Sequence, residues 1–305
     1  MKFSHTTPLC LLLSLFAACS PALIDKERER VSFSITQFVD PEEGITTRTS
    51  IASGNEFIWA AGDTVGIYPN TGSQVYFAMT SGVGAKTAEF DGGGWDFKPS
   101  AVYYSYYPFI GDIYLNRNHI PVRYTGQKQI GTTGIEHIGP YDYMYTPATS
   151  ATDGKLNFSY KHLSCIIRPK VTLPAGKWEK LAITAPSAVF ATQGYFDLAA
   201  SEPAIVPTAY SNQIQIDLEG ISLSGETSFY IYILSAPVDL KGKEITVSVL
   251  NDKRTEFQCK KTPSYVYTAG FIGGLTCNSW TEVPQSMGLI LQDWEDGGNI
   301  GGTAD

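Results

Sequence analysis

"RVSFSITQF", residues 30–38, puts Val31, Phe33 and Ile35 on one side of an extended chain and Ser32, Ser34 and Thr36 on the other. Side chains of a strand point alternately to opposite faces, so this period of two reads as a β-strand with one buried face. Phe38 adds a further apolar residue at its end. "VDPEEGITTRTS", residues 39–50, then breaks the strand with Pro41 and Gly44 and carries one arginine, Arg48.

The same punctuation recurs along the chain. "NEFIWAAGDTVGIYP" (55–69) reads as strand, Gly-Asp turn and strand, and "QVYFAMTSG" (74–82) and "KTAEFDGGGWDF" (86–97) as strands around glycine turns. "AVYYSYYPF" (101–109) is an aromatic, strongly β-prone run. Residues 116–155 are richer in Gly, Pro and Thr, with short apolar pieces. "KLNFSYKHLSCIIRPKVTLP" (155–174) then restarts a strong strand pattern. Further strands are expected in "WEKLAITAP" (178–186), "GYFDLAA" (194–200), "NQIQIDLEG" (212–220), "TSFYIYILSAP" (227–237), "KEITVSVLND" (243–252) and "TEFQCKK" (255–261). No long stretch repeats its apolar residues every 3.6 positions. Short strands at turn-bounded intervals point to sandwiches rather than βαβ units. The expectation is an all-β chain of two tandem β-sandwich domains, residues 31–160 and 161–305. The second ends in a tail strand near 288–294, where Leu289, Ile290, Leu291 and Trp294 are the last strong hydrophobes before Ile300.

Composition agrees. The 305 residues suffice for two domains; 29 Gly, 17 Pro, 18 Tyr and 15 Phe favour strands and turns over helices. A net charge of −8 argues against a nucleic-acid partner.

The N-terminus carries a different signal. Leu9 to Ala18 is almost unbroken apolar sequence, the length of a signal-peptide core and too short for a bilayer span. "LFAACS" (15–20) ends it at Cys19, and "FAAC" resembles a lipobox, the bacterial lipoprotein cleavage signal. The resemblance implies that residues 1–18 are removed, that Cys19 is lipidated and that residues 19–30, "CSPALIDKERER", are a charged tether. Acyl chains contribute about 0.8 kcal/mol per buried CH₂, so two or more hold a protein on a membrane stably.

Three cysteines remain in the body: Cys165, Cys259 and Cys277. Their odd number and the absence of CxxC spacing argue against a disulfide framework or zinc site, and they read as small buried hydrophobes. Enzyme signatures are missing. "GVGAKT" (82–87) has Ala85 where a phosphate loop needs glycine, so it reads as a turn. His119, His137 and His162 form no metal or triad pattern, there is no G-x-S-x-G, and "DWEDGG" (293–298) lacks the ligand ladder of a calcium loop. No cofactor, metal or catalytic residue is expected.

Taken in order, "TTRTSI" (46–51), "FIWAAGDTVGIY" (57–68), "AVYYSYYPF", "FSYKHLSCIIRPKV" (158–171) and "LILQDWEDGGNIGG" (289–302) resemble the running pattern of the fimbrillin family, the type V pilin-like lipoproteins of anaerobic Gram-negative bacteria. The resemblance covers essentially the whole chain from Cys19. It implies two transthyretin-like, Greek-key β-sandwich domains and a surface-exposed outer-membrane lipoprotein. It also implies an arginine-specific protease that removes the first strand and so opens a groove for a strand from another fimbrial subunit. On that pattern Arg48 and Thr49 flank the cut, and Val31, Phe33, Ile35 and Phe38 belong to the placeholder strand. Leu289, Leu291 and Trp294 would supply a donor strand. The short polar ending "GGNIGGTAD" departs from a long apolar donor.

A second reading rests on tyrosines. Tyr103, Tyr104, Tyr106 and Tyr107 cluster, and Tyr141, Tyr143 and Tyr145 alternate as if on one face of a strand. Tyrosines suit either a core or a sugar-binding surface, which would make the chain an unpolymerised glycan-binding lipoprotein.

Overall fold

The computed structural model describes residues 31–35, 51–52, 56–93, 97–98, 101–111, 115–150 and 156–284. The expected lipidation residue Cys19, the Arg48–Thr49 cut, Phe38 and the donor residues Leu289, Leu291 and Trp294 lie outside them.

The first half supplies β1 (Val31–Ile35), β2 (Ile51–Ala52), β3 (Glu56–Phe57), β4 (Thr64–Pro69), β5 (Val75–Ser81), β6 (Thr87–Asp91), β7 (Val102–Tyr107), β8 (Ile120–Arg123), β9 (Gln127–Ile130), the one-turn helix α1 (Ile138–Tyr141), β10 (Met144–Tyr145), β11 (Thr149–Ser150) and β12 (Leu156–His162). The second supplies β13 (Cys165–Leu173), β14 (Gly176–Thr184), β15 (Phe190–Phe196), β16 (Val206–Ser211), β17 (Gln213–Leu223), β18 (Thr227–Tyr230), β19 (Ile233–Ser235), β20 (Val238–Asp239), β21 (Ile245–Asn251), β22 (Glu256–Lys261), β23 (Val266–Tyr267), β24 (Ile272–Cys277) and β25 (Thr281–Glu282). The chain is all-β, as its alternation predicts.

Eight strands form the N-terminal sheet in the order β10-β12-β1-β6-β5-β4-β7-β11, and β10 also pairs with β7, so the sheet closes on itself. Residues alternate cleanly along β12, where Leu156, Phe158, Tyr160 and His162 point inward and Asn157, Ser159 and Lys161 outward. Leu156, Phe158 and Tyr160 join Val31, Phe33, Val65, Ile67, Phe77, Phe90, Tyr106 and others in one apolar core. On β4, Gly66 lies opposite Tyr106, and a Cβ there would run into the Tyr106 ring, so close packing requires a glycine.

The second core lies between two sheets. One has the order β25-β22-β21-β14-β17-β9; the other joins β18 and β19 to one edge of β13 and β24 to its other edge. Leu181, Ile183, Ile216, Val247 and Val249 from the first meet Ile167, Val171, Leu173, Ile233 and Leu275 from the second. "TSFYIYILSAP" reads as one strand, but the structure splits it into β18 and β19 at Ile231–Tyr232. The split falls opposite Pro169 of β13, which has no N–H to give a ladder. Only the Pro169 carbonyl is used, accepting from the Ile231 N–H at 2.9 Å.

The Gly/Pro/Thr-rich stretch holds more order than its composition suggests. β8 pairs with β15, and β9 pairs parallel to β17, so this segment of the first half completes sheets of the second. Gln127 and Gln129 of β9 are buried. The Gln127 amide accepts from the Leu234 N–H (2.8 Å) and donates to the Leu234 carbonyl (2.7 Å). Gln129 accepts from the Tyr232 N–H (3.1 Å) and donates to the Tyr230 carbonyl (3.0 Å). Side-chain amides thus replace a backbone ladder at the break between β18 and β19. Replacing either glutamine by leucine strands a buried donor and acceptor, each costing about 1–3 kcal/mol. Gln127→Leu and Gln129→Leu are each expected to lower the denaturant midpoint at constant m-value, and the unchanged midpoint of an exposed control, Gln193→Leu, calibrates the loss.

Candidate functional site

β1 occupies a central position. It runs parallel to β12, Val31 opposite Leu156, Phe33 opposite Phe158 and Ile35 opposite Tyr160, and antiparallel to β6, Val31 opposite Phe90 and Phe33 opposite Ala88. Its backbone is therefore laddered on both sides. The alternation read from "VSFS" is realised: Val31 and Phe33 are wholly buried, and Ser32 and Ser34 are half-buried.

Phe33 anchors the strand. Its ring centroid lies 4.5 Å from Phe90, 5.2 Å from Phe158, 5.8 Å from Tyr160 and 6.5 Å from Trp59. Aromatic contacts of this kind add about 0.5–1.5 kcal/mol beyond area burial. Trp59 also meets Phe90, Tyr107 and Tyr160 edge-on, at 5.0, 5.7 and 5.8 Å. The adjoining "AAGD" turn holds it there. Asp63 accepts from the Ala60 N–H (2.7 Å) and the Tyr107 hydroxyl (2.9 Å), and Gly62 takes φ +88° in the turn. Burial raises the Asp63 carboxyl above its usual range, and these two hydrogen bonds oppose the shift. Burial, reinforced by the Asp63 charge, drives the Tyr107 hydroxyl well upward, so it remains a neutral donor.

The tyrosine run is core. Tyr103, Tyr106 and Tyr107 are at most 3% exposed. The Tyr103 hydroxyl accepts from the Lys98 N–H at 2.7 Å, Tyr106 donates to Gln74 at 2.7 Å, and Tyr160 hydrogen-bonds Ser105. Tyr104 is half-buried beneath the Arg117 guanidinium, 4.9 Å from its centroid. The expectation that Tyr141, Tyr143 and Tyr145 share one strand face is corrected: Tyr141 closes α1, Tyr143 is irregular and only Tyr145 lies in a strand. The Ile138-Gly139-Pro140 sequence turns the chain before β10 begins. These rings therefore form no continuous sugar-stacking row.

Sequence reasoning missed a buried pair. His162, read as adjoining a strand edge, is the last residue of β12, and its Nδ1 lies 2.9 Å from the Asp142 carboxylate. Burial raises the Asp142 carboxyl, and the His162 ring pulls it back. Spacing along the chain gave no sign of this, because β10–β12 pairing creates it. Among the described residues no group of three or more His, Cys, Asp or Glu could hold a metal ion.

No protein-family profile and no curated protein matches the chain. Solved structures do. A candidate cell adhesion protein from Bacteroides ovatus superposes with a TM-score of 0.55 at 13% identity, over 85% of this chain and 96% of that one. A candidate cell adhesion protein from Bacteroides fragilis gives 0.47 at 10% identity, over 84% and 96%. The tip fimbrial protein from Porphyromonas gingivalis, C-terminally truncated, gives 0.34 at 10% identity, over 76% and 81%. The structural neighbours are thus fimbrial and candidate adhesion proteins, and the first of them shares the all-β fold of this chain.

Proposed function

We propose that this chain is a structural or accessory subunit of cell-surface fimbriae, exported as a lipoprotein on Cys19 and activated by cleavage between Arg48 and Thr49. The proposed organisation is a signal peptide (1–18), a tether (19–30), an N-terminal sandwich (31–160) and a C-terminal sandwich with its tail (161–305). Cleavage would disconnect β1 from the rest of the chain, and a strand from a neighbouring subunit would take its place. The tail around Leu289, Leu291 and Trp294 is the proposed donor. The partners would be other fimbrial subunits, the outer membrane through the lipid and an arginine-specific protease. The role is structural and adhesive, with no catalytic step.

One observation supports this reading most: β1 is a short strand laddered on both sides in the middle of its sheet, joined to the following strands through the segment that carries Arg48. Its removal would turn β6 and β12 into facing edges with unpaired N–H and C=O groups above an apolar slot, the template that strand addition satisfies.

The N-terminal residue of protein recovered from the cell surface tests it. Thr49 is the outcome expected of an assembled subunit, and a chain that always begins at lipidated Cys19 would refute processing. Independently, Cys19→Ser should abolish labelling by a clickable fatty acid; equal labelling of variant and wild type would refute the anchor.

A further inference from the structure

A polar cleft of about 220 Å³ opens between the β8–β9 turn, the middle of β15 and the junction of β16 with β17. It is smaller than the roughly 300–1,000 Å³ of a drug-sized site and suits a single ring. Buried Tyr124, Phe190 and Ile214 form its apolar side. Thr125, Thr192, Ser211, Gln213 and Gln215 form its polar side, and none of the described residues that line it is charged. Backbone geometry fixes the frame. β15 slips its register with β16 between Ala191 and Gln193, and this bulge leaves Thr192 outside the β16 ladder. The Thr192 carbonyl accepts from the Tyr124 N–H at 3.1 Å, which ties the β8–β9 turn to the bulge.

Much of the polar side is unused by the protein. Among the described residues, the Thr192 hydroxyl and the Gln215 amide make no hydrogen bond. The Gln213 amide donates to Thr184 Oγ1 at 3.0 Å, and its oxygen takes no bond there. Ser211 Oγ accepts from the Gln213 N–H at 3.0 Å and keeps its own proton to donate. Thr192 and Ser211 are half-buried and the two glutamines exposed, so water serves these groups until something displaces it. Tyr210 is 56% exposed and lies directly opposite Ala191, another lining residue. Opposed strand residues share a face, with Cβ atoms about 4.5–5.5 Å apart, so Tyr210 stands at the rim.

We propose that this cleft binds one uncharged sugar ring, the terminal residue of a neutral glycan. A sugar presents ring C–H groups that pack on an aromatic face, and hydroxyls that both give and accept hydrogen bonds. Tyr210 offers the aromatic face. The amides and hydroxyls of Gln213, Gln215, Thr192 and Ser211 likewise give and accept. A carboxylate or ammonium would lose water in the cleft and gain no ion pair from its lining. The Arg123 guanidinium donates to Thr125 Oγ1 at 2.6 Å and flanks the cleft without lining it, so an acidic sugar is the discriminating control. The volume admits one ring, and the exposed glutamines leave the rest of the glycan in solvent. None of these residues belongs to the β1 slot, so the site goes beyond the fimbrial reading and does not depend on it.

Saturation-transfer-difference NMR on the full-length Cys19→Ser chain, unlipidated and uncut, tests this. The probes are the methyl glycosides of glucose, galactose, mannose and N-acetylglucosamine, their free sugars, and glucuronic acid. At least one neutral glycoside should bind with a Kd on the order of 1 mM. Its free sugar should bind no better, since the methyl glycoside copies a chain end. Gln215→Ala and Tyr210→Ala, both at exposed positions, should each weaken binding about three- to tenfold without changing the melting midpoint. Thr276→Ala, exposed on β24, should leave binding unchanged. Binding of no neutral glycoside, binding of glucuronic acid alone, a requirement for the free reducing end, or equal weakening by Thr276→Ala would overturn the proposal. Release of β1 plays no part in this readout, so a failure here leaves strand exchange standing.

Discussion

Release of β1 after cleavage at Arg48 is expected to destabilise the N-terminal sheet by about 3–6 kcal/mol, because Val31 and Phe33 each contribute about 1.5–3 kcal/mol by burial. The nicked chain should first hold the strand by non-covalent contacts alone, then lose it under mild denaturant that leaves the uncut chain folded. The open slot should then accept a strand from another subunit, giving SDS-resistant ladders at ambient temperature. An incoming strand that takes over the β1 pairing runs parallel to β12 and antiparallel to β6, with alternate apolar residues facing inward. Arg48→Ala should stay monomeric and keep β1 under an arginine-specific protease. A trimmed chain that stays monomeric, melts unchanged and forms no fibres alone or with sister subunits would contradict strand exchange.

Phe33→Ala is expected to be among the most damaging single substitutions in the first core. Truncating a buried phenylalanine costs about 3–5 kcal/mol, and four aromatic rings surround this one. At about 2–4 °C per kcal/mol for large domains, the melting midpoint should fall by roughly 10 °C. Ser34→Ala, on the same strand but half-buried, removes only a long 3.4 Å hydrogen bond to the Phe158 carbonyl and should cost under about 1 kcal/mol. Calorimetry of the two variants separates packing in the slot from the backbone ladder that both retain. Equal, small losses would mean that Phe33 does not anchor the strand. The same variant should shed β1 more readily after cleavage, since the ladder alone then holds it.

The alternation Val31-Phe33 against Ser32-Ser34 made the strand and its buried face legible, because period two is a local property of extended chain. The same logic reached β12, β21 and the 214–218 part of β17, where apolar residues take every second position, while in β14 a bulge between Trp178 and Lys180 interrupts the period. It failed where tertiary contacts replace hydrophobic patterning. β9, "QKQI", lies in the Gly/Pro/Thr-rich stretch and shows no apolar alternation, but its two glutamines are buried hydrogen-bonding arms. β16, "VPTAYS", has no fully buried side chain and is a strand only because β15 offers an edge. The Tyr141–Tyr145 alternation matched strand spacing and was overruled by a helical turn.

The site divides the same way. Phe33 was identifiable as inward-facing from its neighbours in sequence. That Trp59, Phe90, Phe158 and Tyr160 enclose it was not, since they come from the segment after β3, from β6 and from β12, tens of residues away along the chain.

The sequence by itself determined that this chain is built of strands, which faces of the strong strands are apolar, and that its first strand precedes a broken segment with a single arginine. Those properties reside in one to ten consecutive residues and survive without any partner. Only the tertiary structure decided that β1 lies between β12 and β6 rather than at an edge, that β8 and β9 complete sheets of the second half and that His162 meets Asp142. Strand order and register come from which apolar faces can close over one another and which backbone groups then find partners. That is a global condition on the packed chain, and no local stretch encodes it.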